Sequence, residues 1–153
     1  MTPTLLIVRH AHRDKSLGGA ADNGLSAKGR KQSSRVLERF KEQFASAGSV
    51  KVLSSPKRRC METVQPIAEH LGTKVRVEAL LDEGENLELR AKKFLQEWKK
   101  DSPELLVICS HGDWIPCFLE FATGVQTDLA KGGWVRLENR DGRPVVTEIL
   151  QEL

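Results

Sequence analysis

The chain has 153 residues, 39% of them hydrophobic and 29% charged, and a formal net charge of +3. That is enough for one ordinary domain with a real core, and the composition is that of a globular protein rather than a disordered or fibrous one. Basic residues are interleaved with acids and form no concentrated face with aromatics, which argues against a nucleic-acid partner, and no apolar run approaches bilayer length, which argues against a membrane.

The N-terminal stretch Met1 to Arg9 has no basic leader and no small-residue cleavage site, so its apolar part, Leu5 to Val8, reads as a first strand rather than a signal peptide. From Ser26 the pattern becomes helical. Val36, Leu37, Phe40, Phe44 and Ala47 recur at helix spacing, and Gly48 is placed as the stop. Val50 to Leu53 is a second strand. Cys60, Val64, Ile67, Ala68 and Leu71 then mark one face of a helix that Gly72 ends, and Val75 to Val77 is a short strand. Leu87, Ala91, Phe94, Leu95 and Trp98 predict a third helix, closing before Ser102-Pro103. Leu105 to Cys109 is the strongest buried-strand candidate, and Ile115, Phe118, Leu119 and Ala122 lie on one face of a fourth helix. Two last runs, Trp134 to Leu137 and Val145 to Leu150, flank the hairpin-type turn Arg140-Asp141-Gly142-Arg143. No repeat or linker interrupts this order. Residues 1–153 are expected to form a single three-layer α/β/α domain with a mainly parallel central sheet.

Cys60, Cys109 and Cys117 form an odd set with no CxxC pairing, which predicts small buried hydrophobes in a reducing cytoplasm rather than disulfides or a zinc site. No carboxylate cluster suggests magnesium and no histidine spacing suggests zinc, so neither metal nor cofactor is expected.

In open α/β sheets, sites form where strands end and the chain turns toward helices. The polar residues after three predicted strands are Arg9-His10, Ser54-Ser55-Pro56-Lys57-Arg58-Arg59 and Ser110-His111-Gly112. All three clusters fall on one sheet edge. Taken singly, each is an ordinary solvated strand end or helix start; taken together, they describe an anion site. A phosphoryl group needs several fixed cations, and the planar fork of arginine bonds two phosphate oxygens at once. Arginines beside a histidine also disfavour its protonation, which leaves one imidazole neutral and nucleophilic near pH 7.

These residues resemble the histidine phosphatase superfamily, which also holds the phosphoglycerate mutases. Leu6-Ile7-Val8-Arg9-His10-Ala11 stands where that family has a strand followed by Arg-His-Gly. Leu25-Ser26-Ala27-Lys28-Gly29-Arg30-Lys31-Gln32 matches its Leu-Thr-x-x-Gly-x-x-Gln, and Ser54 to Thr63 matches its Ser-Ser-Pro-x-x-Arg-x-x-x-Thr. Ser110-His111-Gly112 matches its late Ser-His-Gly. The resemblance implies a phosphoglycerate mutase-like fold and a metal-independent phosphatase. It makes His10 the nucleophile, and Arg9, Arg59 and His111 the phosphate-binding groups with it. The Pro-x-x-Arg spacing selects Arg59, and leaves Arg58 as a helix-surface charge.

The resemblance also implies a glutamate acid in a Leu-x-Glu segment. Leu81-Asp82-Glu83-Gly84-Glu85 offers Glu83, with Asp82 and Glu85 as rivals and helix-terminal electrostatics as the alternative role. Ala11 in place of the usual glycine, together with the short chain, resembles the small SixA-type phosphohistidine phosphatases. Ser110-His111-Gly112-Asp113 looks more like the general phosphatase and mutase branches. The expected substrate is phosphohistidine in a signalling protein, for instance a histidine phosphotransfer domain, with a small phosphate ester as the alternative. A chain this short leaves little to shield a phosphoenzyme from water, which argues against a mutase. A rival from another class is a module that binds phosphorylated ligands without turnover.

The remaining candidates carry weaker signals. His12, Arg13 and Lys15 lie in the loop His12 to Gly24, which is expected to border the pocket, either attracting an anion or as plain solvated charges. Trp114 is expected to line the pocket mouth or to pack on its own domain. Trp98 and Trp134 fit core positions, and His70 fits a helix C-terminus.

Overall fold

The computed structural model describes residues 2–153. A central six-stranded sheet has the order β3-β2-β4-β1-β5-β6. Its strands are β1 (Thr4–Arg9), β2 (Val50–Ser54), β3 (Arg76–Val77), β4 (Leu105–Ser110), β5 (Trp134–Arg140) and β6 (Arg143–Leu150). The pairs β1–β4, β2–β4 and β2–β3 are parallel, while β1–β5 and β5–β6 are antiparallel. The mainly parallel α/β sheet expected from the sequence is therefore present.

Four helices cover the two faces: α1 (Ala27–Phe44), α2 (Arg58–Leu71), α3 (Leu87–Lys100) and α4 (Trp114–Thr123). Because side chains alternate along a strand, the apolar run of β1 supplies both layers. Leu5 and Ile7 pack with Phe94, Trp98, Trp114 and Phe118 of α3 and α4. Leu6 and Val8 pack with Val36 and Phe40 of α1 and with Val64 and Ile67 of α2. Trp114 belongs to the first of these cores, fully buried and stacked on Phe118 with ring centroids 4.8 Å apart, and so does not line a pocket mouth. Trp98 and Trp134 are buried as expected.

Element ends depart from the sequence pattern at a few points. Helix α1 stops at Phe44 rather than running on through Ala47, because the Glu104 carboxylate accepts from the backbone N–H of Gly48 and Ser49 (2.9 and 3.2 Å) and draws the chain toward β2. Strand β3 is only Arg76–Val77, an exposed edge pairing with β2 that leaves Val75 outside it. A single 3-10 turn, Ala79–Leu81, has too few residues to show a period. The hairpin holds Asp141 and Gly142 at φ 54° and 80°, the left-handed pair expected of a tight two-residue turn.

The loop between β1 and α1 is closed at its base. Asp14 N–H donates to Gly24 O (2.9 Å), Arg13 and Leu25 form an isolated antiparallel bridge, and the buried Asn23 side chain donates to Asp14 O. Its tip is exposed, the apolar Leu17 included. Helix α1 then begins with Ser26 as N-cap, its hydroxyl accepting from Gly29 N–H at 3.0 Å. Gly29 has no room for a side chain, since a Cβ there would run into the His12 carbonyl. Ser26→Ala is expected to cost about 1 kcal/mol, the usual worth of such a cap, seen as a lower urea midpoint with unchanged slope.

Candidate active site

The parallel register sets the site. Arg9 pairs with Ser110 across β1 and β4, and Ser54 pairs with Cys109 across β2 and β4, so the three strands end level. His10 N–H donates to Ser110 O and Ser55 N–H to Cys109 O (3.1 Å each), which carries the alignment one residue past the sheet. His10 and His111 thus emerge side by side, with ring centroids 5.3 Å apart and only 6% and 2% exposed. Arg59 reaches the same place from the first turn of α2. A cleft of about 420 Å³ opens over these groups, lined by Arg9, His10, Arg59, His111 and Glu83 together with Arg13, Lys15, Gly112, Asp113 and Lys131.

Each side chain is held by specific partners. His10 Nδ1 lies 2.8 Å from Ala11 O. A carbonyl only accepts, so Nδ1 carries the proton and Nε2 keeps its lone pair. Ala11 is itself fixed by its N–H donating to Thr63 Oγ1 (2.9 Å), and that hydroxyl donates to Arg59 O. Burial lowers the proton affinity of His10 most, His111, Arg59 and Arg9 add repulsion, and the Ala11 bond opposes them; the pKa falls from 6.5 to about 3. The ring is neutral throughout the physiological range.

His111 Nε2 lies 2.7 Å from Ser55 Oγ, and that hydroxyl lies 3.5 Å from Asp82 Oδ1, so it can accept from the imidazole and direct its own proton to the carboxylate. His111 Nδ1 faces Arg59 Nη2 at 3.3 Å and Glu83 Oε1 at 3.5 Å.

Arg9 Nη1 donates to Leu129 O at 2.6 Å. Gly112 makes room for this guanidinium, since a Cβ at that position would sit 2.7 Å from Nη2 and 2.8 Å from Cζ. Arg59 Nη2 donates to Glu83 Oε2 at 2.6 Å. The Nε atoms of both arginines are buried and have no partner. Orphaned cationic donors beside a buried imidazole lone pair make a site for an anion with several oxygens.

Among the three acids of the Leu81–Glu85 segment, only Glu83 lines the cleft. Asp82 is occupied by Lys57 (3.4 Å) and by the Glu83 backbone N–H (2.8 Å), and Glu85 is exposed outside it. Burial acts to raise the Glu83 pKa, but the Arg59 hydrogen bond and the charges of His111, Arg59 and Lys57 outweigh it and hold the carboxyl below its usual range. Arg58, as expected, lies on the helix surface and pairs with Glu62 (3.0 Å). Arg13 and Lys15 line the cleft, whereas His12 binds Ser26 with its ring and does not. Sequence reasoning gave no role to Ser55, Thr63 or Lys131. The first two stand inside a quoted motif, and Lys131 precedes a Gly-Gly pair whose turn the sequence does show.

Comparison with known proteins adds the following. The model of the histidine phosphatase superfamily (branch 1) matches residues 5–88, more than half of the chain. No curated protein matches the sequence. Among solved structures, the chain is similar to mycobacterial hydrolase 1, with a TM-score of 0.81, 17% identity and 100% of each chain covered. It is also similar to a mutant phosphoserine phosphatase from Entamoeba histolytica in complex with phosphoserine (TM-score 0.75, 18% identity, 96% of each chain). A mycobacterial glucosyl-3-phosphoglycerate phosphatase with inorganic phosphate is likewise similar (TM-score 0.78, 17% identity, 95% of this chain and 96% of that one).

Two outcomes follow from this geometry. The unfolded chain binds a proton at His10 near pH 6.5, whereas the folded chain does so only near 3. Stability is therefore fully present above pH 6.5 and declines as the pH falls toward 3. His10→Asn should lose less stability than the wild type between pH 6.5 and 4 in urea titrations. Gly112→Ala should weaken inorganic phosphate binding about tenfold by calorimetry and lower the urea midpoint modestly, because the added methyl displaces a cationic donor whose bonds, the one to Leu129 O included, are worth more than about 1 kcal/mol.

Proposed function

We propose, for a chain that belongs to the histidine phosphatase superfamily (branch 1), a phosphatase reaction that runs through a covalent phosphohistidine on His10. The observation that carries this reading is the neutral, buried His10 set between two arginines whose Nε donors have no partner. In the first step the Nε2 lone pair attacks phosphorus. A P–N bond forms as the bond to the leaving oxygen breaks, and charge on the phosphoryl oxygens is met by Arg9, Arg59 and His111. In the second step water attacks the phosphohistidine, the P–N bond breaks, and inorganic phosphate leaves His10 neutral again.

Glu83 supplies the proton of the first step and accepts that of the second. In the resting protein its bond to Arg59 keeps it ionised. A bound phosphoryl dianion competes for that guanidinium and brings negative charge beside the carboxylate, and both changes raise its proton affinity. Substrate entry thereby arms the acid: the carboxylate takes up a proton from solvent as the substrate binds and then passes it to the departing oxygen.

The placement of Glu83 in the cleft supports a phosphomonoester, whose alkoxide leaving group needs a proton. Phosphohistidine in a signalling protein is the second reading. It is supported by the short connection from α2 to β4, a two-residue strand, one 3-10 turn and α3, which adds no insertion that would bar a protein surface. An imidazole departs with its pKa near ~6.5 and needs little help from an acid.

Phosphate release measured in parallel on alkyl and aryl phosphates and on a phosphohistidine peptide, with chelator present, tests both readings. His10→Asn should abolish release from every substrate while the fold persists, and acid-labile phosphate should be trapped on the wild type alone. Glu83→Gln should slow alkyl phosphates by roughly 10² or more, the usual worth of a general acid. Fast P–N cleavage indifferent to Glu83 would select the phosphohistidine reading. Phosphate binding without turnover on any substrate would overturn the enzyme reading in favour of a binding module.

A further inference from the structure

The Arg9 side chain has a single hydrogen-bond partner among the described residues, the Leu129 carbonyl at 2.6 Å, while its Nε has none. The direction of this guanidinium is therefore set at one peptide oxygen. That oxygen belongs to an irregular stretch: between α4 and β5, residues 124–133 form neither helix nor strand. Leu129 is the one buried residue of 124–131, its side chain seated in the core of α3 and α4. Further along, Gly132 N–H donates to Arg9 O and Gly133 O accepts from Arg9 N–H (3.1 Å each). Core packing holds the Leu129 side chain and these bonds hold the end of the stretch, but neither fixes the direction of the Leu129 carbonyl.

That direction is set from the other side of the same peptide. Leu129 C=O and Ala130 N–H belong to one rigid planar unit and point opposite ways. Gln151 Oε1 accepts from the Ala130 N–H at 2.7 Å, and the same carboxamide donates through Nε2 to Asp128 O at 2.9 Å. One side chain thus grips two successive peptides, and no other hydrogen bond among the described residues reaches the Ala130 N–H. Gln151 stands on firm ground. It follows Leu150, the last residue of β6, which pairs with Trp134 of β5. Leu150 and Leu153, to either side of it, pack against the α1–α2 core.

Without the carboxamide, the exposed Ala130 would bond to water and the peptide plane would lose its only fixed partner on that side. Leu129 O would then turn within the range its side chain allows, and Arg9 would turn with it. The grip also polarises the peptide, because a hydrogen bond at the N–H makes the carbonyl a better acceptor for a cationic donor.

We propose that Gln151 is a positioning residue for phosphoryl binding: it holds the plane of the Leu129–Ala130 peptide, and through Leu129 O it aims Arg9 at the phosphoryl oxygens. It touches no substrate itself. This rests on the reading above in which Arg9 meets the phosphoryl group. A residue beyond the last strand thereby governs a guanidinium at the end of the first.

The test is calorimetric binding of inorganic phosphate to the full chain, run as a double-mutant cycle. Gln151→Met removes both bonds at similar bulk and should weaken phosphate binding roughly three- to tenfold, the worth of one or two hydrogen bonds. The kcat/KM for an aryl phosphate should fall by a similar factor. In an Arg9→Ala background the same substitution should change phosphate affinity by less than about twofold, because its effect runs through Arg9. Gln151→Glu keeps an acceptor for the Ala130 N–H and should recover most of the affinity at high salt, where its added charge is screened. Wild-type affinity in Gln151→Met, an equal proportional loss with and without Arg9, or no recovery in Gln151→Glu would overturn the assignment. A non-additive cycle in phosphate binding, with no turnover of any ester, would overturn the phosphatase and leave the role of Gln151 standing. No phosphate binding by the wild type would overturn both.

Discussion

Parallel pairing of β1 with β4, two interior strands of the sheet, is the constraint on which the site depends. Its register places Arg9 level with Ser110 and continues as the bond from His10 N–H to Ser110 O. A slip of one residue would turn His10 to the other face of the sheet and carry the apolar residues of β1 into the wrong layers. The register is held from both faces, since Leu5 and Ile7 are committed to the α3–α4 core and Leu6 and Val8 to the α1–α2 core. Packing that would serve any α/β domain therefore also fixes the spacing of two imidazoles.

Around that pair the protein gathers more positive charge than it neutralises. Each of the innermost groups has one anchor that sets its direction: Leu129 O for Arg9, Glu83 for Arg59, Ala11 O for His10 and Ser55 for His111. What is left over, the two Nε donors and the His10 lone pair, points to no protein partner. Burial keeps His10 neutral without any carboxylate behind it, which is how a histidine flanked by arginines serves as a nucleophile rather than as a third cation. Such a cluster stabilises an incoming phosphoryl group at the expense of the empty fold, the usual relation between a working site and its scaffold.

The layer order, the strands and the convergence of Arg9, His10, Arg59 and His111 on one sheet edge were legible because each depends on local pattern. Apolar runs mark strands, helix-period stripes mark α1 to α4, and polar residues at strand ends mark the edge. Other features depend on distant partners and left little trace. The early end of α1 at Phe44 answers to Glu104, far along the chain. The 3-10 turn is fastened by Ser110 Oγ donating to Leu81 O at 2.6 Å. The choice among Asp82, Glu83 and Glu85 turned on the backbone after that turn, which sends Asp82 toward Lys57 and Glu83 into the cleft. Lys131 escaped notice because its place is set by bonds to β1 and to the C-terminal segment rather than by any motif of its own.

The loop between β1 and α1 is pinched shut by the Asp14–Gly24 bond and the Arg13–Leu25 bridge, while its tip stands in solvent. Lengthening a loop beyond such a clasp adds little closure entropy and disturbs none of the bonds that aim His10. The reacting groups and the border of the cleft can consequently diverge separately in descendants of this chain. Residues could be added, removed or exchanged between Lys15 and Asn23 to suit a new ligand, while the phosphoryl chemistry beneath is inherited intact.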